Sequence, residues 1–306
     1  MITTMTDLKS IIPSKMYDII EKAGICTTRE IITLSVWDIQ KLTNMTEEDI
    51  HFLKAKVTSY VCPPITTAEK LEKERHIKTG YVNFDEALNG GFRIGSITEI
   101  YGESGAGKTQ LAMQIAAQCG KNGCVYICTE DTFPVKRFNQ LTKFQHTTNY
   151  DNQEQMFIEH LTESQNLLTC VRVRLPKLLE QNKVSAVIID SIAGPFRVDV
   201  INYVQRAEEL RELGIQLITI AQKFSLAVIC TNQVTSSFDD LDNVLPSLGL
   251  AWSNMITYRL WIKKTITVVD KDKCNHYVRE LIIVFGPDLK NKICKFIIDT
   301  EGIKSL

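Results

Sequence analysis

One octapeptide has the residue types and the spacing that bind a nucleotide polyphosphate. It follows the pattern GxxxxGK followed by Ser or Thr, and it consists of Gly102, Glu103, Ser104, Gly105, Ala106, Gly107, Lys108 and Thr109. In such a loop the glycines let several backbone N–H groups point at the phosphates, the lysine reaches the β- and γ-phosphates, and the hydroxyl ligates Mg²⁺. The loop therefore predicts binding of ATP with Mg²⁺, and Lys108 is also a catalytic candidate.

A glycine-rich loop that matched this pattern by chance would not need regular elements on both sides. Here residues 96–101 have the composition of a short strand, and residues 110–118 have that of a helix. The order strand, loop, helix is the context in which this loop binds phosphate. The flanking segments therefore favour a phosphate-binding loop.

Two other predicted strands lead into carboxylates. The apolar run at residues 184–189 precedes Asp190, and the run at residues 124–128 is followed closely by Glu130 and Asp131. With its strand beside the phosphate-loop strand, Asp190 would hold Mg²⁺ directly or through water, although a strand-terminal Asp is also a common helix cap. Glu130 is our candidate for the catalytic carboxylate that orients the attacking water, in preference to Asp131, and a solvated acid is the alternative.

An amide follows a further apolar run. The strand predicted at residues 227–230 leads through Thr231 and Asn232 to Gln233. An amide at this position could sense the γ-phosphate and relay its state to the loop beyond. The alternative for Gln233 is a turn residue that ends the strand.

The elements that must position these groups fall into three segments. Residues 1–60 have apolar residues at helical spacing behind capping residues, which predicts a small helical domain. Two adjacent prolines end it, and residues 61–78 are a predicted linker. Residues 79–306 alternate short apolar runs with helical stretches, which predicts an α/β core with a mostly parallel central sheet. Runs at residues 258–263, 279–285 and 292–299 are predicted as antiparallel strands at its far edge.

Composition limits the class of protein. The 306 residues carry a formal net charge of −1, so attraction to nucleic acid must come from local patches. Nine cysteines without CxxC pairs, and no recognisable signal peptide, indicate reduced thiols in the cytosol or nucleus. Cys128, Cys230 and Cys294 lie in apolar runs and are expected to pack as small apolar residues. No apolar run approaches the ~20 residues of a membrane span, so we expect no membrane association.

Four short segments occur in the order found in the eukaryotic branch of the RecA-type recombinase family, which this chain resembles. They are residues 107–110, 129–130, 190–191 and 231–234. The resemblance covers most of the chain. Three more segments resemble the recombinase paralogues in particular, namely residues 125–134, 157–160 and 190–197, since strand-exchange recombinases usually have Gly where Asp131 stands.

The resemblance implies a RecA-like P-loop ATPase that acts in homologous-recombination DNA repair, in the nucleus and also in the cytoplasm. It implies a heteromeric complex with the family's C-type paralogue that supports recombinase filaments. In this family Glu130 matches the catalytic glutamate, Gln110 completes the nucleotide-binding stretch, and Arg137 matches an arginine near the adenine base. Gln233 begins the second DNA-facing loop, and Glu301 matches an acidic residue that caps a neighbouring subunit's ATP.

The two DNA-facing loops depart from a good DNA groove, which needs cations along the backbone and aromatic faces for stacking. The first loop offers Arg197 and Arg206 against Asp199. The second offers Phe238, but it has no Lys or Arg before Arg259, and it contains three carboxylates, those of Asp239, Asp240 and Asp242. We therefore expect single-stranded or branched DNA to be bound through the complex and not by this chain alone.

The linker resembles the family's polymerisation motif. Ile65 stands where Phe is usual, and Ala68 is retained. Such a segment adds as an extended strand to a neighbour and places two small side chains in pockets. Ile suits a different pocket from Phe, which favours a hetero-partner, and a plain extended linker is the alternative.

Three functions use a phosphate loop of this kind and are weighed on the residues around it. The leading one is an ATP-binding subunit of a paralogue complex, with weak DNA-dependent ATPase activity. Its alternative is a DNA-dependent ATPase with its own strand exchange. A small-molecule kinase built on the same loop would need an arginine-rich lid over the acceptor, and we find none in the sequence.

Overall fold

A computed structural model describes residues 5–62, 67–70, 74–144, 155–197, 203–236, 244–271 and 274–306. The chain has two compact units, Met1–Lys73 and Glu74–Leu306. Residues 74–78, which the sequence placed in the linker, belong to the second unit. They do so because β1 (His76–Ile77) pairs antiparallel with β2 (Phe92–Arg93).

The described part of the first unit is helical, as predicted. Capping boxes at Thr27 with Glu30 and at Ser35 with Asp38 start two of its helices, and Asn44 ends one of them in the left-handed conformation, with φ 54°. Its core consists of apolar side chains at helical spacing, including Leu8, Ile20, Ile31, Ile39, Ile50 and Leu53. The helices are α1 (Met5–Ile11), α2 (Ser14–Lys22), α3 (Thr28–Thr33), α4 (Val36–Thr43) and α5 (Glu47–Val61).

The second unit is an α/β domain. Its further strands are β3 (Ile97–Gly102), β4 (Cys124–Cys128), β5 (Met156–His160), β6 (Ala186–Asp190), β7 (Ala227–Asn232), β8 (Val234–Ser236), β9 (Val244–Pro246), β10 (Tyr258–Lys271), β11 (Cys274–Phe285), β12 (Ile293–Asp299) and β13 (Gly302–Lys304). Its helices are α6 (Val82–Ala87), α7 (Lys108–Gln118), α8 (Val135–Phe144), α9 (Ser164–Thr169), α10 (Leu175–Gln181), α11 (Tyr203–Lys223) and α12 (Gly249–Ser253).

The central sheet of the described residues has nine strands in the order β13-β12-β11-β10-β3-β7-β6-β4-β5. The six strands from β10 to β5 are parallel to their neighbours, and β11, β12 and β13 continue the sheet antiparallel. The mostly parallel sheet with antiparallel C-terminal strands is therefore confirmed.

One detail of the predicted sheet is wrong. The strand that ends in Asp190 is not beside the phosphate-loop strand, because β7 lies between β6 and β3. The three C-terminal strands are antiparallel to one another as predicted, and the first of them, β10, also pairs parallel with β3 on its other side. Lateral strand order depends on how the helical crossovers pack, and this is not encoded in the local apolar pattern.

Both faces of the sheet are buried, which explains the continuous apolar runs. Alternate residues of β6 point to opposite layers: Ile188 joins the core beneath α7 and α8, and Val187 and Ile189 join the core beneath α9 to α12. Because β3, β7, β6 and β4 are parallel to one another, their carboxyl ends meet at one edge of the sheet. Residues that follow these four strands are thereby brought together.

Candidate functional site

The loop between β3 and α7 has a backbone that requires glycine. Gly105 has φ +74° and Gly107 has φ +115°, values that side-chain-bearing residues rarely adopt. A Cβ at Gly102 would lie 2.1 Å from the carbonyl oxygen of Ile262, and one at Gly107 would lie 2.7 Å from Cδ1 of Ile298. The loop ends at the first turn of α7, where free backbone N–H groups and the helix dipole favour an anion.

Lys108 folds over this loop. Its Nζ donates to the carbonyl oxygens of Gly102 at 2.7 Å and Glu103 at 2.9 Å. Burial lowers the pKa of Lys108, while the nearby carboxylates of Asp190 and Glu130 raise it. Within the described residues no carboxylate forms an ion pair with Lys108, so a phosphate would supply the anionic partner that this partly desolvated ammonium lacks.

Asp190 is oriented by the strands on both sides of β6. The Tyr126 hydroxyl donates to Oδ2 at 2.7 Å, and the Thr231 hydroxyl donates to Oδ1 at 2.5 Å. Burial and the Asp190 carboxylate together raise the pKa of Tyr126 well above its ordinary value, so this donor keeps its proton. Each carboxylate oxygen accepts a hydrogen bond and retains a lone pair, which fits a role in holding Mg²⁺ together with the Thr109 hydroxyl.

Glu130 and Gln233 are in contact, because the Gln233 amide donates to Oε1 of Glu130. The segment before Glu130 is tied to the end of β6: Thr129 Oγ1 donates to Ser191 O at 2.6 Å and accepts from Ser191 N at 2.9 Å. A Cβ at Gly194 would come within 2.9 Å of Glu130 Cγ. A carboxylate and an amide are thus held together at one end of the site.

These groups surround a cavity of about 590 Å³, a volume typical of small-ligand sites. The residues that line it are Ser104, Gly105, Gly107, Lys108, Thr109, Gln110, Glu130, Asp131, Arg137, Asp190, Ser191, Gln233, Arg279, Ile298 and Asp299. Of the predicted nucleotide-binding residues, Gly102, Glu103 and Ala106 support the loop without lining the cavity. The polyphosphate loop, the Mg²⁺ candidates and the catalytic candidates therefore converge on one space.

Arg137 also lines the cavity. Its Nε donates to the Gln110 side chain at 2.8 Å, and its two Nη atoms donate to the carbonyl oxygens of Thr300 at 2.7 Å and Asp299 at 2.6 Å. Burial lowers the pKa of Arg137, and Asp299 opposes that shift. Arg137 therefore links α8 to the turn that follows β12, next to this cavity.

Among the remaining predicted site residues, Glu301, Arg197 and Arg206 do not line the cavity. Glu301 accepts from the Lys304 ammonium at 2.5 Å, and Ala68 is exposed in a single 3₁₀ turn. Arg197 is exposed just after the short turn that follows β6, and Arg206 is partly buried on α11. Two candidates, Ile65 and Phe238, lie outside the described residues.

Sequence reasoning missed a buried polar cluster beneath Gln233. The fully buried Glu99 accepts from Asn232 at 2.7 Å, from the Trp252 indole at 2.8 Å and from Arg259 at 2.6 Å. Asn232 Oδ1 in turn accepts from Gln233 N at 2.8 Å. A glutamate within the apolar run of β3 was the available signal, since a buried charge needs a partner.

The fold and the loop between β3 and α7 together define a RecA-like P-loop protein. The family model described as Rad51 matches residues 72–306. The chain therefore belongs to the Rad51 family. The predicted resemblance to the recombinase paralogues is confirmed by the similarity of this chain to XRCC3 proteins.

The curated relatives include DNA repair protein XRCC3. The Bos taurus protein is 32% identical over 322 residues, covering 94% of this chain and 94% of the relative. The Mus musculus XRCC3 is 31% identical with the same coverage of both chains. DNA repair protein rhp57 of Schizosaccharomyces pombe is 27% identical over 92% of this chain and 94% of its own length.

Two expectations from composition also have outcomes. All nine cysteines are unpaired, and Cys128, Cys230 and Cys294 are buried. Among the helices of the described ranges, none combines the length and the apolar character needed to cross a bilayer.

Proposed function

We propose that this chain binds Mg·ATP and acts in homologous-recombination DNA repair as a subunit of a heteromeric paralogue complex that supports recombinase filaments. The observation that carries the proposal is the convergence of Lys108, Asp190, Glu130 and Gln233 on one cavity at the phosphate loop. Membership of the Rad51 family and similarity to relatives named DNA repair proteins support the pathway. The nucleus is accordingly the proposed compartment, with the cytoplasm as a second.

Each site residue has a proposed role. The loop amides and Lys108 bind the β- and γ-phosphates, and Thr109 with Asp190 holds Mg²⁺, which supplies charge neutralisation when bound. Glu130 orients the water that attacks the γ-phosphate. Gln233, whose side chain donates to Glu130, senses whether that phosphate is present. Arg137 is placed beside the base by analogy with the family.

The partner proposal rests on membership of the Rad51 family and on the charge of the second DNA-facing loop. The carboxylates of Asp239, Asp240 and Asp242 oppose DNA binding by this chain alone, which favours action within a complex. The C-type paralogue would receive the segment with Ile65 and Ala68, and Glu301 would face a neighbouring subunit's ATP. A ligand that binds the assembled state more tightly than the free chain shifts association toward the complex. DNA contacts through Arg197, Arg206 and Phe238 would be made within that complex.

A second candidate is a DNA-dependent ATPase with its own strand exchange. The observation that favours it is the contact between Glu130 and Gln233, which couples a hydrolytic carboxylate to the residue that begins the second DNA-facing loop. Measurement of ATP turnover by the purified chain, with and without single-stranded DNA, separates the two. Strong stimulation by DNA without a partner would favour this second candidate.

The test of the main proposal is Lys108→Ala, with the exposed Lys177→Ala on α10 as the matched control. Loss of hydrogen bonds to a charged ligand costs about 1.5–3 kcal/mol each, so Mg·ATP affinity should fall on the order of 100-fold. Calorimetry gives the affinity, and co-purification with the C-type paralogue in ATP gives the assembly. Unchanged values of both in a folded Lys108→Ala protein would contradict the proposal.

A further inference from the structure

Arg279 enters the nucleotide cavity from β11, an element to which no phosphate-binding role was assigned. It lines the cavity together with Gly107, Lys108 and Ile298. A Cβ built on Gly107 would lie 3.6 Å from Arg279 Cδ and 3.7 Å from its Nε. The guanidinium stem of Arg279 therefore lies against the phosphate loop itself.

Arg279 has more donors than acceptors around it. Its Nε is buried without a hydrogen-bond partner, and the one bond it makes within the described residues runs from Nη1 to Tyr277 O at 3.0 Å. No carboxylate of the described chain forms an ion pair with it. Arg259, by contrast, forms an ion pair with the Glu99 carboxylate through Nε and donates to the Ser253 hydroxyl through Nη2.

A partly desolvated arginine without an acidic partner is an unfavourable arrangement in a resting protein. Burial alone lowers the pKa of Arg279, with no opposing acid. A cation beside the start of a helix attracts anions. The adjacent loop also presents its backbone N–H groups to the position that a phosphate would occupy. The arrangement becomes favourable once an oxyanion occupies the cavity, because charge-assisted hydrogen bonds then replace the missing ones.

We propose that Arg279 is a nucleotide-binding residue of this chain, and that its guanidinium contacts the phosphates that ATP and ADP share. The inference rests on the proposed ATP site and adds a residue to it. Glu130 and Gln233 are hydrogen-bonded to each other, and no hydrogen bond or ion pair of the described residues joins Arg279 to Glu130 or Asp190. Arg279 lies instead against Gly107 and Ile298, and Asp299, the next residue after Ile298, accepts from Arg137 through its carbonyl oxygen. Arg279 is therefore assigned to the α- and β-phosphates.

A purely structural role makes the opposite prediction about stability. If Arg279 served to anchor β11 through Tyr277 O, its removal would lower the stability of the nucleotide-free protein. If it is held in place for a ligand, removal of an unpaired, partly buried charge leaves the nucleotide-free protein as stable or more stable. Stability and affinity then move independently.

The experiment uses the full chain with Arg279→Gln and Arg279→Lys, and with the exposed Lys263→Gln on β10 as the control. Calorimetry with Mg·ATP and with Mg·ADP should show roughly tenfold weaker binding of both nucleotides to Arg279→Gln. Arg279→Lys should recover part of the loss, and Lys263→Gln should bind like the unaltered chain. The melting temperature of nucleotide-free Arg279→Gln should be unchanged or higher.

The outcomes separate this inference from the proposed function. Equal affinities of Arg279→Gln and the unaltered chain would overturn it, and a loss confined to Mg·ATP would overturn the assignment to the shared phosphates. A fall in nucleotide-free stability, or failure of Arg279→Gln to fold, would assign Arg279 to structure. If the unaltered chain, with its partner, does not bind Mg·ATP, the proposed function itself fails.

Discussion

Replacement of Glu99 by Gln removes the one negative charge that faces Arg259 inside the described core. The Glu99 side chain is fully buried, and that of Arg259 is only 12% exposed. Their atoms Oε2 and Nε are 2.6 Å apart. Glutamine keeps the volume of glutamate, so the substitution tests charge pairing without making a cavity.

The expected loss follows from the burial of both partners. Removal of one member of a buried ion pair costs about 3–5 kcal/mol, because the other charge is left uncompensated. The glutamine oxygen can still accept from Trp252, which places the expected loss near the lower end, at about 3 kcal/mol. Glu180→Gln is the matched control: its pair with Lys223 is exposed at 58% and 59%, so its loss should stay below about 1 kcal/mol.

Urea unfolding followed by tryptophan fluorescence can measure this loss of stability in the second compact unit, to which Glu99 and Arg259 belong. Trp252 is buried and bonds to Glu99, so its emission reports the core. Trp37 belongs to the first unit and is exposed, and a Trp37→Phe background removes its signal. With a slope of about 3 kcal/mol/M, a loss of 3 kcal/mol moves the midpoint by about 1 M.

A midpoint shift no larger than that of Glu180→Gln would refute the reasoning. A double variant sharpens the test, because Glu99→Leu with Arg259→Leu removes both charges. Its loss should be smaller than the sum of the two single losses, since neither buried charge is then left alone. Additive losses would show that the two side chains do not stabilise each other.

The remaining predictions concern the cavity and the thiols. Gly107→Ala should weaken Mg·ATP binding at least tenfold by calorimetry, because the φ of Gly107 is +115° and a Cβ there would clash. Gly105→Ala should lose less affinity, since a Cβ at Gly105 would meet open space. Equal losses of affinity in the two variants would contradict this geometry. Glu130→Gln should keep Mg·ATP affinity within about threefold while turnover falls about 10²–10⁴-fold, and undiminished turnover would remove Glu130 from its role. Burial raises the pKa of Cys128 to about 12, so its thiolate fraction at pH 8 is about one in ten thousand. Alkylation of the native chain at pH 8, read by mass spectrometry, should therefore modify the exposed thiols and spare Cys128 until urea is added, and labelling of native Cys128 would contradict its burial; the exposed thiols are Cys26, Cys62 and Cys274.

The phosphate loop and the residues after β4, β6 and β7 could be predicted because their signals are local. A phosphate loop is a contiguous motif, and parallel strands place their carboxyl ends at one edge whatever their order. The order itself was beyond reach, and β7 lies between β3 and the strand of Asp190. Which strands become neighbours depends on helix packing that involves distant parts of the chain.

Arg279 could not be predicted for a different reason. Its strand pairs with β10 through a register that shifts by one residue between Arg259 and Leu260, because Phe285 and Ile283 pair with these two successive residues. A shift of one residue sends every later side chain to the opposite face of a sheet. Whether Arg279 points at the phosphate loop or away from it is therefore decided by an irregularity that the apolar pattern of residues 258–285 does not reveal.

The base of the ribbon formed by β8 and β9 is tied to the buried cluster around Glu99. Gln233 immediately precedes β8, and Ser247 immediately follows β9. Ser247 N donates to Gln233 O at 2.9 Å, the Ser247 hydroxyl donates to Asn232 Oδ1 at 2.6 Å, and Asn232 Nδ2 donates to Glu99 Oε1 at 2.7 Å. Because the Gln233 side chain also donates to Glu130, this one residue joins the base of the ribbon to the cavity.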